Sequence, residues 1–154
     1  MSQQRFLLKG GNVLGGKAAD LLIADGRIAE ISASISDKDA TVIDLKGSIL
    51  LPGLVDLHTH LREPGREDSE TVASASRAGA KGGFTALSAM ANTSPVADTA
   101  GVVEQVYRLG QEAGFVDVFP IGAVTQGLHG EQLSEIGAMA DSVARVRVFS
   151  DDGN

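Results

Sequence analysis

The sequence contains no cysteine and no tryptophan. Without cysteine it can build neither a disulfide framework nor a thiolate metal site, so any metal must be held by nitrogen and oxygen. With one Tyr and five Phe in 154 residues, the core has to be packed from aliphatic side chains. Positive charge is also scarce: 13 Lys and Arg stand against 20 Asp and Glu, a net charge of −7. That balance argues against a nucleic-acid or anionic-membrane surface. No apolar run approaches the roughly 20 residues of a membrane span. The opening residues lack the charged-then-apolar layout of a signal peptide. What remains is a soluble globular chain, expected in the cytoplasm. It is 43% hydrophobic, enough to bury a core, and its length is that of one ordinary domain. Glycine is abundant, 19 of 154 residues, well above the usual share of about 7%, which implies many tight turns.

Hydropathy patterning divides the chain at Pro52-Gly53. Before it, short strands are expected over 5–8, 21–24, 27–31, 42–45 and 48–51, separated by Gly10-Gly11, Asp25-Gly26 and Lys46-Gly47. Asp-Gly permits positive φ in a tight hairpin turn. Residues 1–51 thus read as a small β unit. Beyond it, strands are expected over 54–58, 84–89, 116–121 and 146–149. A helix over 70–81 would open on the acidic Glu67 and Asp68 and present Val72, Ala75 and Gly79 on one face. A second helix carries the stripe Val102, Val106, Leu109 and Ala113, closed by Gly114. A third, over 131–141, would turn Leu133, Ile136 and Ala140 inward. From Leu54 onward the order is β-α-β-α-β-α-β. That is an α/β pattern with a parallel sheet and right-handed crossovers over residues 52–154.

The stretch richest in chemistry is Val55-Asp56-Leu57-His58-Thr59-His60-Leu61-Arg62-Glu63-Pro64-Gly65. Alternation along a strand would put Asp56, His58 and His60 on one face. Two neutral imidazoles at that spacing can converge on a divalent ion. They lie at the C-terminal end of the first strand of a βα series, where α/β folds place their sites. Asn92 follows the second such strand, a Gly-rich loop holding His129 follows the third, and Asp151-Asp152 follows the fourth. Turn formation alone would account for Asn92 and for the Asp pair, and His129 reads as a solvated loop residue. Imidazole and carboxylate together nevertheless make a hydrolytic type of metal site. Asp56 reads equally well as support for the histidines or as a strand-end hydrogen bonder.

The run Pro-Gly-Leu-Val-Asp-Leu-His-Thr-His-Leu-Arg-Glu-Pro-Gly over 52–65 resembles the signature of the dihydroorotases, which are cyclic amidohydrolases. The likeness continues through Ala80-Lys81-Gly82-Gly83-Phe84-Thr85, Asn92-Thr93-Ser94-Pro95-Val96 and Phe149-Ser150-Asp151-Asp152-Gly153. It implies a metal-dependent (β/α)₈ TIM barrel, here its first four strands, preceded by part of a small β-sandwich. It implies zinc, one or two ions, held by His58, His60 and Asp152, with Asp152 standing where many amidohydrolases use a carboxylated Lys. His60, Arg62 and Asn92 would bind substrate, Arg62 forking onto its carboxylate as Lys cannot. The implied reaction is the reversible closure of N-carbamoyl-L-aspartate to dihydroorotate in pyrimidine synthesis. The implied associations are a homodimer or a complex with aspartate carbamoyltransferase. No catalytic residue is expected within this chain, since the family's general-base Asp would lie beyond Asn154, as would two further histidines. The alternatives are an allantoinase or dihydropyrimidinase, whose substrates lack that carboxylate, and a non-catalytic scaffold of the same family. A barrel needs about 250 residues. The sequence therefore reads as a first half whose isolated form would lack a complete site and activity.

Overall fold

The computed structural model describes residues 4–153. The expected domains also take in residues 1–3 and 154, which lie outside the described residues. The chain divides into two compact units, Met1–Pro52 and Gly53–Asn154.

The first unit is a mixed sheet of β1 (Arg5–Val13), β2 (Ala18–Ala24), β3 (Arg27–Ser32), β4 (Thr41–Asp44) and β5 (Ile49–Leu50). Its order is β3-β2-β1-β4, with β5 also on β1. Asp25 and Gly26 both take positive φ, 52° and 72°, as a tight turn between antiparallel strands requires. Gly10-Gly11 does not end the first strand as expected. Gly10 adopts φ 65°, the pairing with β2 shifts between Leu8 and Gly11, and the strand continues to Val13. This is an irregularity that glycine tolerates at little cost. Leu7, Leu22 and Ile35 form the small core.

The second unit is α/β. Parallel strands β6 (Leu54–Thr59), β7 (Phe84–Ala89) and β8 (Asp117–Pro120) lie in that order, joined through α1 (Val72–Lys81) and α2 (Ala100–Ala113). Leu61, Val72, Leu87, Ala89, Val106, Val116 and Val118 make the sheet-to-helix core. Helix α1 does not begin on acidic residues. Thr71 and Ser74 form a reciprocal capping box, and the Val72 N–H donates to Glu63 Oε2 at 2.8 Å. Glu67 instead accepts the Gly65 N–H.

In α2 the fully buried positions are Val103, Val106 and Gly110, not the expected Val102, Leu109 and Ala113. The reason is space. A Cβ at position 110 would fall 2.5 Å from Val118 Cβ, so the helix lays its barest point on the sheet. Gly114, at φ 65°, closes the helix as expected.

Two expectations fail toward the end of the chain. The third helix, α3, covers only Ile136–Asp141. Ahead of it Leu133 is 68% exposed and bridges Thr125, while the Ser134 hydroxyl and N–H donate to Ala123 and Val124 carbonyls. Met139 takes the inward position. The expected fourth strand is reduced to one parallel bridge between Gly122 and Phe149. Glycine is required there, because a Cβ on Gly122 would meet the Phe149 ring at 2.7 Å. Among the described residues, no helix is long and apolar enough to cross a membrane.

Candidate metal centre

Strand β6 delivers the two histidines through an interrupted ladder. Asp56 lies opposite Leu87 and Thr59 opposite Ala89, so three steps on β6 answer two on β7. Leu87 and Ala89 share the helix-facing side of β7 and are buried, and parallel partners share a side. Asp56 is thus not on the face of His58 and His60, contrary to strict alternation. Its Oδ1 accepts the His58 N–H at 3.0 Å, the strand-end bonding role. Such irregularities re-aim side chains beside functional sites.

His58 Nε2 stands 3.2 Å and His60 Nε2 3.9 Å from the same oxygen, Asp152 Oδ1. The rings meet edge to face, their centroids 5.1 Å apart. One donor atom from each of the three residues lies within 4.8 Å of the other two. Two atoms each about 2.1 Å from a tetrahedral ion stand about 3.4 Å apart, so this spacing fits a single divalent cation. The chemistry of the donors fits too: neutral imidazole and carboxylate suit zinc.

Asn92, just past β7, places Oδ1 2.9 Å from His60 Nδ1. A proton on Nδ1 donated to that oxygen leaves the Nε2 lone pair facing Asp152. Asn92 therefore reaches the histidine directly, a contact the sequence did not signal. Arg62 is half-buried and takes φ 63°. Asp152 takes φ 57°. Left-handed backbone is uncommon for such residues and marks positions constrained by their surroundings. His129 is exposed in its loop and is not among the residues drawn together.

The neighbouring carboxylate behaves differently. Asp151 accepts the Val124 N–H and Thr125 N–H at 2.9 Å each, and the Thr125 hydroxyl at 2.8 Å. The Thr125 N–H, with its hydroxyl and the Val124 N–H, holds this carboxyl below the usual carboxylate range against the opposing effect of burial. Turn formation accounts locally for the Asp-Asp pair, but the two side chains part company: Asp151 turns to Val124 and Thr125, and Asp152, at φ 57°, turns to the histidines.

Three comparisons show what the chain is similar to. The chain is 63% identical over 153 residues to the dihydroorotase of Leifsonia xyli subsp. xyli, covering 99% of this chain and 35% of that protein. It thus spans about a third of that relative's length. Among solved structures, the L-hydantoinase (dihydropyrimidinase) of Arthrobacter aurescens matches 80% of this chain and 29% of its own, with TM-score 0.67 and 27% identity. A crystal structure of a dihydroorotase matches 96% of this chain and 42% of its own at TM-score 0.65, with 16% identity, and so bears on the fold alone. Residues 47–153, more than half of the chain, match the dihydro-orotase-like family, and the chain belongs to it.

Proposed function

We propose that these residues serve a zinc-dependent dihydroorotase, which interconverts N-carbamoyl-L-aspartate and dihydroorotate in the cytoplasm. The observation that carries the reading is the convergence of His58, His60 and Asp152, in a chain so similar to a known dihydroorotase. His58 Nε2, His60 Nε2 and Asp152 Oδ1 would hold the ion. Zinc in such a donor set supplies Lewis acidity toward an amide carbonyl and makes water nucleophilic at neutral pH. Arg62 would clamp the substrate carboxylate bidentately. The Asn92 amide nitrogen would donate to the same group while its oxygen holds His60 Nδ1, and His60 would contact substrate from the metal side. In the hydrolytic direction water adds to the ring amide carbon, the C–N bond breaks and nitrogen gains a proton. The base managing that proton, two further histidines, and any homodimer or aspartate carbamoyltransferase contact belong to the whole enzyme.

The same reading gives the architecture. Residues 52–154 would be the first four strands of a (β/α)₈ barrel, the bridge at Phe149 marking the fourth. Residues 1–51 would be part of a composite sandwich. The parallel β-α-β-α-β order and the likeness to the hydantoinase structure support this.

That likeness also favours a second reading, a cyclic amidohydrolase of uncharged rings. Arg62→Ala in the full-length enzyme separates the two. The KM for dihydroorotate should rise at least tenfold, about 1.4 kcal/mol of lost binding, with zinc content unchanged. An unchanged KM together with efficient dihydrouracil turnover would overturn the proposal. Full-length protein lacking stoichiometric zinc would point instead to a scaffold.

A further inference from the structure

We propose that Asp151 is a positioning residue that fixes the aim of Asp152 by clamping the chain after Phe149 to the loop that leaves β8. The inference rests on the reading of Asp152 as a metal ligand. Pairing of this segment with the sheet ends early. The Gly122 N–H donates to the Val148 carbonyl and the Ser150 N–H to the Gly122 carbonyl, and among the described residues the ladder goes no further. Asp152 comes two residues later in a left-handed conformation, its N–H on Ser150 Oγ at 3.1 Å. Between them the Asp151 carboxylate takes three hydrogen bonds from Val124 and Thr125. The buried Thr125 is itself held, its hydroxyl oxygen accepting the Gly130 N–H at 2.9 Å. One carboxylate thus anchors the backbone so that the next can present Oδ1 to both histidines. Groups that orient ligands are worth about 10- to 100-fold in metal affinity.

The test uses the full-length enzyme and zinc alone as probe, with affinity read by competition against a chromogenic chelator. Asp151→Ala, which removes all three hydrogen bonds, should weaken zinc about 10-fold or more. Thr125→Val should weaken it less, since both backbone N–H bonds remain, and the double variant should lose little beyond Asp151→Ala. Circular dichroism of the zinc-free proteins reports folding, and if Asp151→Ala does not fold, Thr125→Val decides. Wild-type zinc affinity in the folded variants, even with lowered melting temperature, overturns the inference. Asp152→Asn keeps the two readings apart: if it alone weakens zinc, the ligand assignment stands and the positioning role falls. If Asp152→Asn leaves affinity intact, the ligand assignment itself is wrong.

Discussion

Asn92 Oδ1 lies 2.9 Å from His60 Nδ1, while the other nitrogen of that ring faces Asp152 Oδ1 at 3.9 Å. The imidazole is gripped at one nitrogen and presented at the other. Removing the grip with Asn92→Ala frees the ring to rotate and to exchange tautomers. Zinc affinity in chelator competition should fall about 10-fold. Asn92→Asp keeps an acceptor and should keep zinc, but it replaces a donor with a negative charge where the proposed function puts the substrate carboxylate. KM should then rise while metal content holds. Equal zinc affinity in wild type and Asn92→Ala would show that the contact carries no weight.

Glu63 stands in the motif close after His58 and His60, yet its Oε2 accepts the first N–H of α1, from Val72. It is a helix cap. Glu63→Ala should cost about 1 kcal/mol in urea denaturation, as loss of a capping acceptor does. Zinc affinity should not change. A large loss of metal without loss of stability would contradict this role.

At Gly110 two effects oppose each other. Alanine is favoured over glycine inside a helix by about 1 kcal/mol. Against that, the new methyl would sit 2.5 Å from Val118 Cβ, a stiff β-branched neighbour that cannot swing away. Overpacking of this kind costs about 1–3 kcal/mol. Gly110→Ala is therefore expected to lower the melting temperature of the second unit, and a rise would refute the steric account.

Asp20 gives the first unit an acid limit. The N–H groups of Ile35 and Gly10 hold this buried carboxyl below its ordinary 3.8, with Lys9 assisting and burial opposing. A carboxyl lowered in the folded state contributes stability above its unfolded value, and that contribution disappears as pH falls through the lowered one. The protection of the Gly10 and Ile35 amides against hydrogen exchange, relative to an unfolded chain at the same pH, should therefore fall below about pH 4. Asp20→Asn should abolish that pH dependence.

Much of the architecture was legible because it follows from local rules. The Asp25-Gly26 hairpin and the Gly114 cap appear where their positive φ values were expected. What escaped depended on space or on partners distant in sequence. Counting apolar residues marked Leu109 on α2, but the sheet accepts Gly110, because closeness mattered more than side-chain area. Alternation grouped Asp56 with the histidines, and one irregularity in the ladder separated them. His58 and His60 announce themselves by spacing. Asp152 could be singled out from Asp151 only by resemblance, since nothing local shows which carboxylate is spoken for by Val124 and Thr125.

The three candidate donors come from the end of β6 and from a point roughly ninety residues later, in a chain that has no cysteine. An ion shared by His58, His60 and Asp152 would be a cross-link, closing the loop a disulfide would otherwise close. On chain-entropy grounds, tying off about a hundred residues restricts the unfolded state by about 4–5 kcal/mol. Chelation would then loosen the whole second unit as well as empty the site. Such a staple can be withdrawn by a chelator and returned with zinc, and needs no oxidant to form.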